Sequence, residues 1–541
     1  MPDKIGECLM KTVKLTIDNQ ELTVPSDLSV LDAAKKLNIE IPTLCYMNGF
    51  ERFTSCMICV VHETNTDRLL PACSAIVAEG MRIVTDDESV REARKDALDF
   101  LLSEHIGDCD APCRRACPAH MDIPLMIRQI EEGRLKEAIE TVKKDIALPA
   151  VLGRICPAPC EKGCHRGAHD GPVSICLLKR YVADVDLAQE SPYRPVMAGN
   201  SGKKVAVVGA GPAGLSAAYH ILRFGHACDV HDKNPLPGGI LRYGISDEDL
   251  PKNVLDREIE NIAQLGVAFL MERSLGKDVS WAGLKKEYDA VVLTVGKIDP
   301  AIFRESGIEL SSRGITIDRK THMTRLPGFF AGGNAVSESR MAIRAVAHGK
   351  DMAISVNQYL NGEPVTGPIS RFQSIMGKTR GVEVGEFLKE ATEEGRVVPE
   401  DARTQGFTDE EAFRESGRCF GCDCRKPDSC KLRQYAEAYE ASQRRFTFVD
   451  RKNFQKNIQH RLVVYEPGKC IKCGLCVQIT QRAGERFGLT FVDRGFDARV
   501  QASLGVTLDR GLEKAAAECV SACPTGALSW KDRHKKGNIA P

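Results

Sequence analysis

The sequence predicts a multi-domain chain of α/β and α+β class, and three observations carry that prediction. An apolar run, Val205–Val208, breaks into Gly209-x-Gly211-x-x-Gly214 and then into a helical pattern, the strand–turn–helix order of a Rossmann-like domain. Near the start, Thr12–Val24 alternates in polarity around Asp18-Asn19 and leads into a capped helical stretch, the opening of a β-grasp domain. The 22 cysteines fall in short clustered spacings rather than scattered pairs. At 541 residues there is room for three to five domains.

Composition narrows the function classes. Lys+Arg and Asp+Glu stand equal at 74 each, so neither nucleic acid nor an anionic membrane is the expected partner. No apolar run approaches the roughly 18–20 residues of a spanning helix, and the polar start Met-Pro-Asp-Lys does not read as a signal peptide. Clustered cysteines without an export signal read as metal ligands in a cytoplasmic protein, not as disulfides.

The first module is taken as residues 1–95. After the hairpin, Ser29 caps a helix over 29–37, and then come Cys45, Cys56, Cys59 and Cys73. In this β-grasp ferredoxin layout four thiolates from one loop hold a 2Fe–2S cluster; a zinc site is the alternative the spacing leaves open. The spacing differs from the plant type. With Leu70–Met81 and Arg91-Glu-Ala-Arg94, it resembles the N-terminal module of the large iron–sulfur subunit of respiratory complex I and of iron hydrogenases.

Residues 96–195 are read as a helical iron–sulfur domain. Complex I continues into a helix ending in His-x3-Cys-x2-Cys, where a histidine and three cysteines hold a 4Fe–4S cluster. Here His105-Ile-Gly-Asp-Cys109 is kept and the cysteine spacing then changes. From Cys113 on, Cys113-x3-Cys117-Pro and Cys156-x3-Cys160-x3-Cys164 resemble the two-cluster domain preceding the FAD domain in the small subunit of bacterial glutamate synthase. Two clusters need eight ligands, and His105 and Cys176 make up the number beside the six cysteines from Cys109 to Cys164. The resemblance implies one site of His105, Cys109, Cys113 and Cys164, and another of Cys117, Cys156, Cys160 and Cys176. An ordinary surface helix residue is the bland alternative for His105.

The Rossmann-like domain is taken as 200–365. Gly209 makes the tight turn, Gly211 lets a pyrophosphate approach the backbone, and Gly214 lets helix pack on strand, with Ala210, Pro212 and Ala213 completing the turn. Asp232, beside Lys233, ends the second strand where a carboxylate can hold ribose hydroxyls. Pro237–Ile245, with Gly239 and Leu241, then Tyr288–Gly296 and Leu326–Asn334, resemble the FAD domain of the glutamate synthase small subunit and its relatives. Those relatives include dihydropyrimidine dehydrogenase and the large subunit of NADH-dependent ferredoxin:NADP oxidoreductase. The resemblance implies FAD, with Gly296, Gly333, Asn334 and Met341 along it; Asn334 stands where the family has an acid. The family inserts a second Rossmann domain for NAD(P)H after the strand ending at Gly296. Such a domain needs about 100 residues or more, whereas only Lys297–Gly314 precedes the next expected strand, Ile315–Asp318. The nicotinamide domain is expected to be missing.

Residues 366–445 read as polar and helical, with Gly385–Gly395 a solvated helix. Cys419, Cys422, Cys424 and Cys430 follow, then a helix over Lys431–Gln443. Zinc or a 4Fe–4S cluster fits the count, and the redox neighbours favour iron–sulfur. The last module, 446–541, carries Cys470, Cys473, Cys476 and, before a proline, Cys523. It resembles a bacterial two-cluster ferredoxin reduced to one 4Fe–4S cluster, with Thr480 in place of a cysteine and Cys519 left without a metal. Cys8 and Cys228 go unassigned, Cys228 as a small buried hydrophobe.

These readings imply FAD, one 2Fe–2S cluster and four 4Fe–4S clusters, with no catalytic side chain besides the flavin. The function they imply is an electron-transfer subunit of a larger oxidoreductase, serving ferredoxin and a partner NAD(P)-reactive flavoprotein, hydrogenase or dehydrogenase subunit. A flavin feeding one-electron clusters is also placed for electron bifurcation. A self-sufficient NAD(P)H-dependent reductase is the second reading, opposed by the missing nicotinamide domain. A redox-sensing or assembly protein is the third, opposed by the series of clusters.

Overall fold

The computed structural model describes residues 11–402, 404–446 and 451–532; Cys8 lies outside them. They form two compact units, each discontinuous in sequence: Met1–Asp110 with Arg371–Lys389 and Cys422–Pro541, and Ala111–Ser370 with Glu390–Gly421. The five consecutive modules expected from the sequence are thus regrouped, and the fourth, 366–445, is divided between the units.

In the first unit, strands Thr12–Ile17 and Gln20–Pro25 pair as the expected hairpin, with Val13 opposite Val24 and Leu15 opposite Leu22. The turn residues Asp18 and Asn19 both take positive φ (46° and 64°), the left-handed conformation their short polar side chains tolerate. Strands Arg82–Val84, Val60–Glu63 and Arg68–Pro71 extend this to a five-stranded sheet. Helix Val30–Lys36 closes one face, capped by Ser29, whose Oγ accepts from the Asp32 amide at 3.1 Å. Asp87 caps helix Glu88–Ser103 in the same way through the Val90 amide. The C-terminal part pairs strand Val463–Tyr465 with Leu528–Trp530 and packs helices Leu475–Arg482 and Ala516–Ala522 beside them. One apolar core runs from Leu44, Cys45 and Ile58 of the cysteine loop through Leu98 and Leu432 to Cys473 and Leu475.

Two helix expectations in this unit are corrected. The helix in the polar stretch covers Gly381–Leu388, not Gly385–Gly395, and is not a solvated one. Phe387 is buried and stacks on Phe454 at 4.4 Å, while the buried Glu383 carboxylate is paired with Arg451. The surrounding charges hid this apolar face. The helix after Cys430 is Lys431–Ala438, ending short of Gln443.

The second unit begins with short helices, among them Pro112–Ala116, Pro149–Ile155, Pro159–Lys162 and Ile175–Leu187. A five-stranded parallel sheet follows, in the order Phe329–Ala331, Ala290–Leu293, Lys204–Val208, Ala227–His231, Ala268–Leu270. Helix Pro212–Arg223 packs on helix Ala342–Leu360 at Gly349, where a Cβ would lie 2.4 Å from the Ala213 carbonyl oxygen. Between Leu293 and Phe329 stand a 3-10 turn and a two-stranded hairpin of Leu310–Ser311 and Gly314–Ile315. Of the expected strand Ile315–Asp318, only Ile315 lies in a strand, at the open end of that hairpin. Among the described residues this is the one parallel sheet of the chain.

Candidate metal and nucleotide sites

The loop after helix Val30–Lys36 carries Cys45, Cys56 and Cys59, and the turn after strand Arg68–Pro71 brings Cys73 to them; all four are buried. Thr54 and Met57 take positive φ (53° and 55°) and curl the loop about its sulfurs. Cys45 is paired with the Cys56 thiol, which with the Cys56 and Ser55 amides lowers its pKa to about 5. The Cys59 thiol likewise lowers Cys73 to about 7. Cys56 and Cys59 are raised in turn by these partners and by burial, and the four buried sulfurs are the donor set an iron–sulfur group takes.

In the C-terminal part, Cys470, Cys473, Cys476 and Cys523 line one cavity with Tyr465 and Leu475. The left-handed Lys472 and Gly474 (φ 57° and 75°) turn the chain between the cysteines, and the Lys472 amide donates to Cys470 Sγ at 3.4 Å. Cys519 is buried beside this group, its Sγ 3.8 Å from the Cys476 carbonyl. The Thr480 hydroxyl serves the backbone, donating to the Val477 carbonyl and accepting from the Leu489 amide.

A third group in this unit differs from the sequence expectation. Cys109 meets Cys424, whose amide donates to the Cys109 carbonyl at 3.1 Å, and both act electrostatically on Cys430. Burial, then the charge of Cys424, pushes Cys109 up to about 11, against a hydrogen bond from the Ser374 amide to its Sγ at 3.3 Å. His105 sits in the turn after helix Glu88–Ser103 rather than on the helix. Its ring Nδ1 is enclosed without a hydrogen-bond partner, and burial, helped by the Lys469 cation, lowers its pKa to about 4. A neutral imidazole with an unsatisfied ring nitrogen fits a metal ligand. Cys113, Cys164 and Cys419 belong to the second unit, whereas Cys422, Cys424 and Cys430 belong to the first. In sequence the His-x3-Cys pattern stops at Cys109, whose neighbours Cys424 and Cys430 lie far downstream.

In the second unit Cys117, Cys156, Cys160 and Cys176 line one cavity with Met121, Lys179 and Ile343. The Cys176 thiol lowers Cys156 to about 6, while burial raises Cys160 to about 12. Cys113 and Cys164 stand on elements in tight contact, since a Cβ on Gly163 would lie 3.1 Å from both Ala116 Cβ and the Pro112 carbonyl. Arg166, fully buried, donates to the carbonyl of Arg418, the residue before Cys419, at 2.6 Å. Asp170 is paired with both guanidinium groups and Glu415 with Arg418.

The nucleotide cradle is built from the glycine turn. Gly209 has φ +113°, and a Cβ there would lie 2.3 Å from the Thr294 carbonyl oxygen; one on Gly214 would lie 1.8 Å from the Gly209 carbonyl. Gly211, in contrast, faces open space, as a pyrophosphate approach requires. Asp232 Oδ2 accepts from the Ala210 amide at 2.7 Å, tying the second strand to the turn, and Lys233 beside it is exposed. Gly239 (φ +53°) backs onto Gly211, Leu241 is fully buried, and Gly333 abuts Ala213. Asn334 is exposed and accepts from the Ser339 amide; Met341 caps helix Ala342–Leu360. Gly296 turns the chain after strand Ala290–Leu293 (φ 71°), and Cys228 is buried in strand Ala227–His231.

Three family models match. Residues 10–88 match a 2Fe–2S iron–sulfur cluster binding domain, 91–191 the dihydropyrimidine dehydrogenase domain II with its 4Fe–4S cluster, and 207–266 an NAD(P)-binding Rossmann-like domain. These three segments are therefore similar to iron–sulfur and dinucleotide-binding domains. Among the chain's relatives is the NADP(+)-dependent formate dehydrogenase subunit beta of Moorella thermoacetica, 41% identical over 34% of this chain and 29% of that one. The NADPH-Fe(3+) oxidoreductase subunit beta of Geobacter sulfurreducens is 33% identical over 51% of this chain and 44% of its own. The NAD-dependent dihydropyrimidine dehydrogenase subunit PreT of Salmonella typhimurium is 41% identical over 35% and 46%. The matches thus span half or less of these curated relatives. Among the described residues no helix is long and apolar enough to cross a membrane.

Proposed function

We propose that this chain is an electron-transfer iron–sulfur flavoprotein subunit of a larger oxidoreductase. The observation that carries it is the succession of cysteine groups in the first unit. Cys45 of the loop lies within electrostatic reach of Cys473, and Cys523 within reach of Cys430. Three redox groups in sequence would make a relay. The loop cysteines fit a 2Fe–2S cluster. The sets Cys470/Cys473/Cys476/Cys523, His105/Cys109/Cys424/Cys430 and Cys117/Cys156/Cys160/Cys176 each supply four ligands for a 4Fe–4S cluster. Cys113, Cys164 and Cys419 supply thiols for a fourth, and Cys422 is not assigned to a group.

The glycine cradle is read as an FAD site, supported by Gly239, Leu241, Gly333 and Asn334 beside the turn. The flavin and clusters would supply the electron chemistry, while the protein sets distance, potential and access. Amide donors to sulfur, as at Cys109 and Cys470, stabilise thiolate charge. The short segment between Leu293 and Phe329 supports the absence of a nicotinamide domain, so electrons would come from ferredoxin or a partner NAD(P)-reactive flavoprotein, hydrogenase or dehydrogenase subunit. The beta-subunit names of the relatives support such a complex.

Anaerobically purified protein should hold about one FAD and about eighteen irons, counting four per cubane and two for the small cluster. Dithionite should bleach the flavin, whereas NADH and NADPH should do so only negligibly. Rapid bleaching by either nucleotide would replace this reading with a self-sufficient reductase.

A further inference from the structure

Lys179 stands one helical turn after Cys176 on helix Ile175–Leu187 and is 5% exposed. Its ammonium donates to the Leu152 carbonyl at 3.1 Å and acts electrostatically on Cys176, Cys156, Cys160 and Cys117. Lys179 lines the same cavity as these four cysteines. Gly153 makes the approach possible. A Cβ there would lie 2.6 Å from Arg180 Cβ, so helices Pro149–Ile155 and Ile175–Leu187 touch backbone to backbone.

Three other buried cations near cysteine groups are matched by carboxylates. Lys469 has Glu466 at 2.6 Å, Arg418 has Glu415 at 2.8 Å, and Arg166 has Asp170 at 2.7 Å. Lys179 is held by a carbonyl and directs its charge at sulfur. A buried ammonium is costly unless an anion compensates it. Four thiolates around an iron–sulfur core provide that anion, and its negative charge grows when an electron is added. A fixed cation therefore favours the reduced state.

We propose that Lys179 is the counter-charge of the iron–sulfur group held by Cys117, Cys156, Cys160 and Cys176 and raises that group's reduction potential; this rests on the reading that these cysteines hold such a group. In the step concerned, one electron passes from the reductant to the cluster. No bond forms or breaks, and Lys179 keeps its proton and charge in both states.

The test is an EPR-monitored redox titration of the full cofactor-loaded chain, comparing wild type with Lys179→Met, Lys179→Gln and Lys179→Arg. Cys160→Ala identifies the signal that belongs to this group. In the Met and Gln variants the reduced-to-oxidised ratio of that signal at a fixed potential should fall at least tenfold, about 59 mV for one electron. The Arg variant should stay near wild type, and the other signals should not move. Loss of about four irons in the Met and Gln variants but not in Arg also supports the counter-charge. An unshifted titration at full iron content overturns the proposal, and so does loss of the cluster in all three variants, which would mark a packing role. Unchanged iron and signals in Cys160→Ala would instead overturn the ligand reading itself.

Discussion

The amide of Cys424 donates to the carbonyl of Cys109 at 3.1 Å, although most of the residues between them in sequence belong to the other compact unit. On the reading proposed above, His105 and Cys109 share one cluster with Cys424 and Cys430 from the far side of that long intervening stretch. His105→Ala, Cys109→Ala, Cys424→Ala and Cys430→Ala should each remove the same cubane EPR signal and about four irons. The 2Fe–2S signal should survive in all four. Loss of different signals in Cys109→Ala and Cys424→Ala would show that the two cysteines serve separate clusters.

Two glycines of the nucleotide turn should respond in opposite ways. A Cβ at Gly214 would sit 1.8 Å from the Gly209 carbonyl and 2.8 Å from Thr294 Oγ1, a backbone collision that the sheet cannot relieve cheaply. Gly214→Ala should cost about 3 kcal/mol or more and yield little folded protein. At Gly211 nothing lies within 4 Å and φ is −79°, so Gly211→Ala should fold normally. It should nevertheless lose flavin, because the methyl group occupies the space the pyrophosphate needs. Flavin absorbance per protein and the melting temperature separate the two effects.

Gly474, between Cys473 and Cys476, meets the loop that carries Cys56. Its φ is +75°, and a Cβ there would meet the Phe53 ring at 2.4 Å. Gly474→Ala should lose about 1–2 kcal/mol to the left-handed conformation alone, and more to displacement of the ring. Phe53→Ala should recover the second part. If Gly474→Ala lowers the melting temperature equally with and without Phe53, the contact is not what the methyl group disturbs.

Glu258 gives a pH dependence with a definite sign. Its buried carboxylate accepts from the Ala150 and Val151 amides at 2.9 and 2.8 Å, yet burial outweighs these donors and raises its pKa to about 7. The folded state therefore binds a proton that the unfolded chain releases near pH 4.3. This contribution is fully present below that value, is lost as pH rises toward 7, and is constant above it. Over that window it amounts to about 4 kcal/mol. Melting temperatures of the cofactor-loaded chain from pH 4.5 to 8 should show the decline in wild type and a flatter profile in Glu258→Gln. Parallel profiles would assign the slope to other groups.

Much of the fold was legible because its determinants act over a few residues. Asp18-Asn19 specifies its turn, Ser29 its cap, and Gly214 its packing on the Gly209 carbonyl, each through contacts inside one local segment. The short cysteine spacings likewise marked the residues proposed as ligands. The polar stretch around Glu383 and Phe387 misled, because its buried partners Arg451 and Phe454 lie on another segment.

The sequence by itself determined which residues are proposed to carry the chemistry: the cysteine runs, His105 and the glycine turn. Their spacing fixes geometry over the length of one turn or loop, where the backbone is stiff. Tertiary structure alone decided how those runs combine. Cys109 is joined with Cys424 and Cys430, and Lys179 is set against four sulfurs. Such groupings depend on which helices pack together, and helix packing is settled by buried surfaces and close contacts such as Gly153 against Arg180, which no local spacing records.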